Sequence, residues 1–302
     1  MSTTPALRAL LARWIDDAAV FPPASLPVAQ AWREHRTHLR SGYGDLLGPL
    51  LVGASAAASL VDVVEGSPEV SQAEDGAGGD AGAGPVAVGV VARAGTPVED
   101  LLAAASRLRT SPRVRVHSVE VAHDTDGRWT RALDLALPVA VEVPKDPEAQ
   151  AAALKAMAAA AAWGGHRLTA KLRTQSTADA PVPTTAQLAA FLVGARDHGL
   201  PFKLTGGLHS AVARTAALPD GSTEEQHGAL NVLVATSHLE TGATPEELEE
   251  VLALRDGPQL AAAARDLDET QAAAVRARFV SFGCCTVPDP VADLVALGLL
   301  PA

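Results

Sequence analysis

Cysteine is nearly absent from this chain. Its 302 residues include only Cys284 and Cys285, which are adjacent and cannot form a disulfide framework. The N-terminus lacks the basic and apolar regions of a signal peptide, and every long apolar run is interrupted by glycine, proline or charge before it reaches membrane-spanning length. We therefore expect a soluble, cytoplasmic protein with no membrane partner, in which the cysteines are two small buried residues.

Aromatic residues and concentrated positive charge are also scarce. Phe, Trp and Tyr make up 3% of the chain, the formal net charge is −11, and no block of lysine and arginine is interleaved with aromatic residues. Binding to a phosphate backbone needs concentrated positive charge. The composition therefore argues against a nucleic-acid partner, and any anion must be bound locally by a few basic residues. It leaves formation of a homo-oligomer open.

The chain contains an alternation of short β-branched runs with longer stretches of helical period, which is typical of βα units around a parallel sheet. Strands are predicted at residues 17–21, 48–53, 86–92, 114–121, 138–143, 167–171, 202–205 and 277–282. Helices are predicted at residues 27–40, 96–109, 146–163, 184–198 and 245–254. Eight strands with helices behind them predict a single-domain (β/α)8 TIM barrel over residues 1–302. A doubly wound sheet is the alternative, but an early Gly-x-Gly-x-x-Gly turn is missing.

Two segments depart from this alternation. Residues 65–85 are rich in Gly, Ala, Asp, Glu and Ser, and they predict a disordered surface insertion. Residues 215–240 form a long excursion after the seventh strand that contains His227, Gly228 and Asn231. The length of this excursion suggests a lid or a substrate-binding loop.

Basic side chains stand at the ends of two neighbouring predicted strands. Lys171 and Arg173 share one face of the sixth strand, and Lys203 and Thr205 share one face of the seventh. Because active sites of TIM barrels lie at the carboxyl ends of the strands, we expect the three cations to converge there. Mutual repulsion and desolvation would lower the pKa of at least one lysine toward neutrality, and a neutral amine attacks carbonyl groups.

Glu120 and Glu142 lie at the ends of the fourth and fifth predicted strands, and they allow two interpretations. In the first, they relay protons for a reaction at the lysines. In the second, they pair with Lys171, Arg173 and Lys203 in a structural ion network. Near the N-terminus, Phe21 either lines the barrel mouth or closes the core, and the sequence slightly favours the core.

The loops after the last two strands provide candidate anion-binding groups. Glycine pairs allow close backbone approach to a ligand but are also ordinary turn signals. The segment 288–290 is expected to open a helix with Asp289 as its N-cap, next to main-chain N–H groups suited to hold a phosphate or carboxylate. A plain junction between loop and helix is the alternative. The candidate substrate-binding residues are Arg173, Thr205, Gly206, Gly207, His209, Ser281, Gly283 and Cys284.

No compact metal-ligand spacing such as His-x-x-x-His is present. We therefore predict no metal ligand and no cofactor. A divalent metal held by residues that meet only in space stays an alternative, and the residues concerned are His209, His227, Glu120, Glu142 and Asp17.

The C-terminal half resembles the class I deoxyribose-phosphate aldolase family, a TIM-barrel group whose members form a Schiff base. The segments that carry the resemblance are Lys171-Leu172-Arg173-Thr174, Lys203-Leu204-Thr205-Gly206-Gly207 and Gly283-Cys284-Cys285-Thr286. They follow the family's order: a lysine after strand six, a Lys-x-x-Gly-Gly segment after strand seven and a phosphate loop after strand eight. The resemblance implies that Lys171 is the Schiff-base residue and that Lys203 lowers its pKa. Arg173 and Gln175 depart from the family, which has a small hydroxyl residue and a glycine there.

The leading hypothesis is therefore an aldolase-like lyase that acts on a small anionic carbonyl compound. Lys171 is the nucleophile, Glu120 or Glu142 relays protons, and Arg173 with the loop at Gly283 holds the acidic group of the substrate. One alternative keeps the pocket but uses a metal or acid–base groups for isomerisation or hydrolysis. The other is a barrel that binds a ligand without catalysis.

Overall fold

A closed barrel of parallel strands organises the part of the chain that the computed structural model describes, residues 4–66, 84–177, 180–217 and 221–301. The barrel strands are β1 (Ile15–Asp17), β2 (Leu47–Gly53), β3 (Val86–Val91), β4 (Val114–Ala122), β5 (Val139–Glu142), β6 (Leu168–Arg173), β7 (Phe202–Thr205) and β10 (Phe279–Cys284). They follow the order β1-β10-β7-β6-β5-β4-β3-β2, and β2 pairs with β1 to complete the ring. The predicted TIM barrel is confirmed, and the open doubly wound sheet is wrong.

Helices cover the outside of the barrel. They are α1 (Pro5–Leu11), α2 (Val28–Leu39), α3 (Ala57–Glu65), α4 (Val98–Leu108), α5 (Pro147–Gly164), α6 (Thr185–Asp197), α7 (Ala229–Glu240), α8 (Pro245–Ala253), α9 (Gly257–Asp266), α10 (Glu269–Arg278) and α11 (Pro288–Ala296). The helices predicted over 27–40, 96–109, 146–163, 184–198 and 245–254 correspond to α2, α4, α5, α6 and α8. None of the helices in the described residues has the length and apolarity that crossing a bilayer requires.

Local sequence signals explain where several helices begin and end. Asp146 caps α5 by accepting a hydrogen bond from the Ala149 N–H, Pro147 occupies the first turn, and Gly165 ends the helix in the left-handed region at φ 60°. Thr184 and Thr244 start α6 and α8 through reciprocal capping boxes with the third helical residue. These caps account for the accuracy of the predicted boundaries.

The predicted bounds of β1 and the predicted start of α11 are wrong. β1 is Ile15–Asp17, not 17–21. Pro288 rather than Asp289 begins α11: Val287 is the N-cap, and Asp289 lies inside the first turn, where its Oδ2 accepts a 2.6 Å hydrogen bond from Thr286. Proline is favoured at this position because its missing N–H would have no intrahelical partner anyway.

The two unusual segments have different outcomes. Residues 67–83 of the predicted insertion lie outside the described residues, but its first residue, Glu65, ends α3 and accepts a hydrogen bond from Ser111. The excursion at 215–240 is not one loop. It contains the antiparallel hairpin β8 (Arg214–Ala217) and β9 (Thr223–Gln226), followed by α7, whose residues 229–236 are all buried. A helix buried on all sides shows no amphipathic stripe, which is why its pattern did not predict it.

Charged side chains, rather than apolar ones, fill part of the barrel interior. Alternation along the strands turns residues such as Leu50, Val52, Val119 and Val141 toward the helices, where they join the main apolar core. The opposite face carries buried acids and lysines. A close approach of β2 to one of these acids requires glycine, since a Cβ at position 48 would lie 2.1 Å from Asp16 Oδ1.

Candidate active site

Two buried lysines occupy the same level of the barrel. Lys171 on β6 is in register with Glu142 on β5 on one side and with Lys203 on β7 on the other. The Lys171 side chain is 3% exposed and the Lys203 side chain is 6% exposed. Because both residues alternate to the interior face of adjacent strands, their amines converge inside the ring, as the sequence predicts.

Glu120 on β4 bridges the two amines. Its Oε1 accepts a 2.5 Å hydrogen bond from Lys203 Nζ, and its Oε2 lies 2.7 Å from Lys171 Nζ. The second contact is an ion pair at hydrogen-bonding distance. One carboxylate therefore sits between both candidate catalytic amines.

The network continues in both directions from this bridge. Toward β1, Lys203 Nζ donates a 2.6 Å hydrogen bond to Asp16 Oδ2, which also accepts a 2.7 Å bond from Ser281. Toward the barrel mouth, Lys171 Nζ lies 2.9 Å from Glu142 Oε2. The carboxylate of Glu142 is held from its other side by the Arg173 guanidinium, whose Nε and Nη2 donate bonds of 2.8 and 3.2 Å. Three acids thus alternate with three bases.

The electrostatics of this network follow from burial and charge. Burial alone would raise the pKa of Glu120, but the charges of Lys171 and Lys203 outweigh it and hold the pKa at about 2. The pKa of Glu142 is also lowered, because Lys171 and Arg173 outweigh the effect of burial. For Lys203, burial would lower the pKa, but Asp16 and Glu120 raise it above its usual value. Lys203 is therefore not a lysine whose pKa is lowered by repulsion, since its nearest neighbours are acids.

These shifts predict how the folded state responds to acid. The pKa of Glu120 falls from 4.5 in the unfolded chain to about 2 in the fold, so ionised Glu120 contributes on the order of 3 kcal/mol of stability above pH 4.5. The contribution is lost as the pH falls through the folded pKa. Lys203 contributes at the other end of the pH range. Its raised pKa stabilises the fold below pH 10.5, and this contribution is lost as the pH rises through the pKa in the fold.

Carboxyl carbon-13 NMR on the folded protein measures the ionisation of Glu120 at acid pH directly. We expect the Glu120 signal to stay that of a carboxylate at pH 3.5. Titration of Glu120 at or above pH 4.5 would contradict the ion network.

A small cavity opens above Lys171. It has a volume of about 40 Å³ and includes Lys171, Glu120 and Arg173 in its lining, but not Lys203. The ends of β7 and β10 and the loop after β7 contribute the candidate residues Thr205, Gly206, His209 and Gly283 to its wall. Three further candidates are not part of this wall: Gly207, Ser281, which is buried and bonded to Asp16, and Cys284, in whose place Cys285 lines the cavity. Alternation along β10 explains this exchange, because it turns Cys284 toward the apolar core.

The glycine pair after β7 is required by the backbone. Gly206 and Gly207 have φ of 72° and 77°, in the region that favours glycine. A Cβ at either position would also lie 2.8 Å from the loop after β6, at Gln175 and at the Thr174 carbonyl oxygen respectively. The glycines therefore let two active-site loops touch, and Gly206 still borders the cavity.

A histidine lies beside the cysteines, which sequence proximity did not reveal. The His209 ring nitrogens approach both thiols to 3.8 Å, and His209 Nδ1 is 2.9 Å from Thr286 Oγ1. Burial raises the pKa of the Cys284 thiol to about 12, raises that of Cys285, and lowers the pKa of His209. Both directions favour a neutral thiol next to a neutral imidazole, so the structure places His209 on the cavity wall without an activated thiolate.

The residues considered for a metal site do not gather. His227 lies 2.8 Å from the Pro183 carbonyl oxygen, and Asp17 Oδ2 lies 2.9 Å from His35 Nδ1 on α2. Asn231, from the same excursion as His227, bonds the backbone at Ala213, Val251 and Leu254. Within the described ranges there is no group of three His, Cys, Asp or Glu residues arranged to hold a metal ion.

Sequence reasoning missed two charged residues of the site and left the position of one aromatic residue open. Asp16 was absent from the candidates, although adjacent aspartates in a short strand must point to opposite faces. Arg93, after β3, lines the cavity and was not considered. Phe21 lines the cavity, where Arg93 Cζ lies 4.8 Å from its ring centroid, and it also packs against a small buried cluster, so both of its alternatives are met.

Comparisons with known proteins identify no family for this chain. No protein-family model matches the chain, and no curated protein matches it.

Proposed function

We propose that this chain is an aldolase-like lyase that forms a Schiff base between Lys171 and a small anionic carbonyl compound. The observation that carries the proposal is the asymmetry between the two lysines. Both are buried on the same carboxylate, but Lys171 borders the cavity and Lys203 does not. A carbonyl compound in the cavity therefore meets the Lys171 amine first.

Lys171 must lose a proton before it can attack. Glu120 Oε2, which lies 2.7 Å from Nζ and belongs to a carboxylate that lines the cavity, is the base that the geometry offers. Lys203 donates to the other oxygen of Glu120, and its positive charge repels the positive charge of protonated Lys171. The low pKa of Glu120 makes this proton transfer unfavourable at rest. Imine formation should consequently become faster as the pH rises.

The covalent step balances without a cofactor. The neutral amine adds to the carbonyl carbon, the carbinolamine oxygen is protonated and leaves as water, and Lys171 ends as an iminium ion that keeps the original positive charge. The iminium accepts the electron pair of the breaking carbon–carbon bond. The proton of the substrate hydroxyl then passes to a carboxylate, for which Glu142, 2.9 Å from Lys171 Nζ and 21% exposed, is the second acid beside the amine.

The arrangement of the three segments similar to class I deoxyribose-phosphate aldolases supports this proposal. They come from β6, β7 and β10, neighbouring strands of the barrel, and each contributes to the cavity wall. The proposal needs no metal ion, because the iminium itself draws electrons from the bond that breaks.

Borohydride trapping tests the proposal. The full chain is incubated with pyruvate, glyoxylate, 2-oxooctanoate or pentanal, reduced with sodium borohydride and examined by intact mass and peptide mapping. We expect at least one compound to add its reduced mass at Lys171, with a yield that increases from pH 6 to pH 9. Reduction that leaves Lys171 unmodified with every compound would contradict the Schiff-base mechanism.

A non-catalytic barrel is the second candidate, and one observation favours it. Three acids and three bases are already paired within the network, so it is balanced without a ligand. Such a network can serve the fold alone. The same trapping experiment separates the candidates, because a barrel without a catalytic amine gives no adduct at Lys171.

A further inference from the structure

Two cavities meet at the carboxyl end of the barrel and share a wall. The cavity over Lys171 has a volume of about 40 Å³, and its neighbour has about 690 Å³. The neighbour extends from the loop after β1 to the beginnings of α3 and α4. Phe21, Pro22, Val91 and Arg93 line both. The two cavities are therefore compartments of one site, separated by side chains.

The smaller compartment is too small for a whole substrate. A volume of about 40 Å³ holds about three water molecules, which is the size of a carbonyl group and its immediate neighbours. Pockets that bind small molecules usually have about 300–1,000 Å³. Only the reacting end of a substrate fits against Lys171, and the rest must extend past the shared wall.

The larger compartment suits an apolar group. Its floor consists of small or branched apolar side chains, among them Ala54, Ala57 and Ala104, which are buried, and Leu26 and Val28. Its charged residues stand at the edge: Asp100 is exposed, and Arg107 is exposed and 3.9 Å from Asp62. An aliphatic or aromatic substituent would therefore bury its apolar surface against the floor without burying a charge.

Arg93 is the cation that is available between the compartments. Its guanidinium stacks on Phe21 and forms no ion pair with any residue that the structure describes. Arg173, the other arginine of the smaller cavity, already has its charge paired with Glu142, to which its Nε and Nη2 donate. An acidic group at Arg173 would share that cation with Glu142, whereas at Arg93 it meets a cation that no described acid pairs.

We propose that Arg93 binds the carboxylate of a 2-oxo acid and that the larger compartment takes an apolar substituent of the same molecule. The carbonyl then faces Lys171, the adjacent carboxylate reaches Arg93, and the chain beyond passes Phe21 into the larger compartment. This assignment rests on the proposed function for the position of the carbonyl. It replaces Arg173 by Arg93 as the anion-binding residue and adds that the substrate is amphipathic.

Titration calorimetry with unreactive analogues tests the inference independently of the covalent step. The full chain is titrated with 2-hydroxyoctanoate, with lactate, which has the acid but no tail, and with 2-octanol, which has the tail but no acid. Each buried methylene strengthens binding about fourfold. We expect 2-hydroxyoctanoate to bind at least about tenfold more tightly than either partial analogue, because it satisfies both compartments.

Variants with matched controls assign the two contacts. Arg93→Gln is expected to weaken binding of 2-hydroxyoctanoate about tenfold or more through loss of a charge-assisted hydrogen bond. Arg33→Gln, at an exposed position on α2, should have no effect. Ala103→Trp, at an exposed position on the wall of the larger compartment, should weaken the binding of 2-hydroxyoctanoate but not that of lactate. Its control is Ala151→Trp on the exposed face of α5.

The outcomes separate the two proposals. Equal affinity for lactate and 2-hydroxyoctanoate, or an unchanged affinity in Arg93→Gln, would overturn the inference even if Lys171 is trapped by pyruvate. Conversely, the expected calorimetric pattern without any adduct at Lys171 would support the binding site and remove the aldolase-like reaction.

Discussion

The Lys171→Arg variant is expected to lose imine formation completely while remaining folded. Arginine keeps the positive charge between Glu120 and Glu142, so both carboxylates retain a cationic partner. A guanidinium stays protonated in proteins and cannot act as the amine nucleophile. With a carbonyl compound that modifies the wild type, borohydride trapping should fall to the background of the untreated protein, which is the largest effect that we expect on activity.

Lys155→Arg provides the matched control for this experiment. Lys155 is exposed on α5 and makes no contribution to the cavity wall. Its replacement removes one lysine amine from the surface and should leave the trapped fraction unchanged. An adduct in Lys171→Arg that equals the wild-type yield would show that another amine reacts, and the asymmetry between Lys171 and Lys203 would then have no functional meaning.

The largest expected effect on stability belongs to Lys203. Lys203→Met should lower the free energy of unfolding by about 3–5 kcal/mol, because removal of one partner leaves a buried charge uncompensated. Asp16, whose side chain is 4% exposed, would keep only the Ser281 hydroxyl among the contacts described above. Urea unfolding at pH 7, followed by circular dichroism, measures the loss.

Lys171→Met is the informative comparison for that measurement. After this change Glu120 still pairs with Lys203 and Glu142 still pairs with Arg173, so each buried acid keeps a base. We expect a loss of roughly 1 kcal/mol, well below that of Lys203→Met. Equal losses in the two variants would indicate that Lys171 is a structural member of the network, as the non-catalytic candidate requires.

Local sequence patterns were sufficient for the architecture and for part of the site. The alternation of strands and helices predicted the barrel, and capping residues such as Asp146 and Thr184 marked the helix starts. Strand periodicity placed Lys171 and Lys203 on interior faces of neighbouring strands, where the structure finds them. These features could be predicted because each depends on residues close together in the chain.

The partners of those lysines could not be predicted in the same way. Lys203 meets Asp16 across 187 positions of sequence and Glu120 across 83. Alternation shows that a side chain points inward but not which opposing side chain it reaches, because that depends on strand tilt and register around the ring. For the same reason, the sequence did not predict that His209 approaches the cysteines or that Arg93 stacks on Phe21.

By itself the sequence determined a parallel αβ barrel and two inward lysines on adjacent strands, since periodicity and capping act over a few residues. Tertiary structure alone decided that acids surround both amines, that Lys171 and not Lys203 reaches the cavity, and that Arg93 stands without an ion pair among the described residues. The physical reason is that the partners of a buried charge are the groups that lie close to it in the folded structure. Closure of the ring brings together side chains that no local pattern connects.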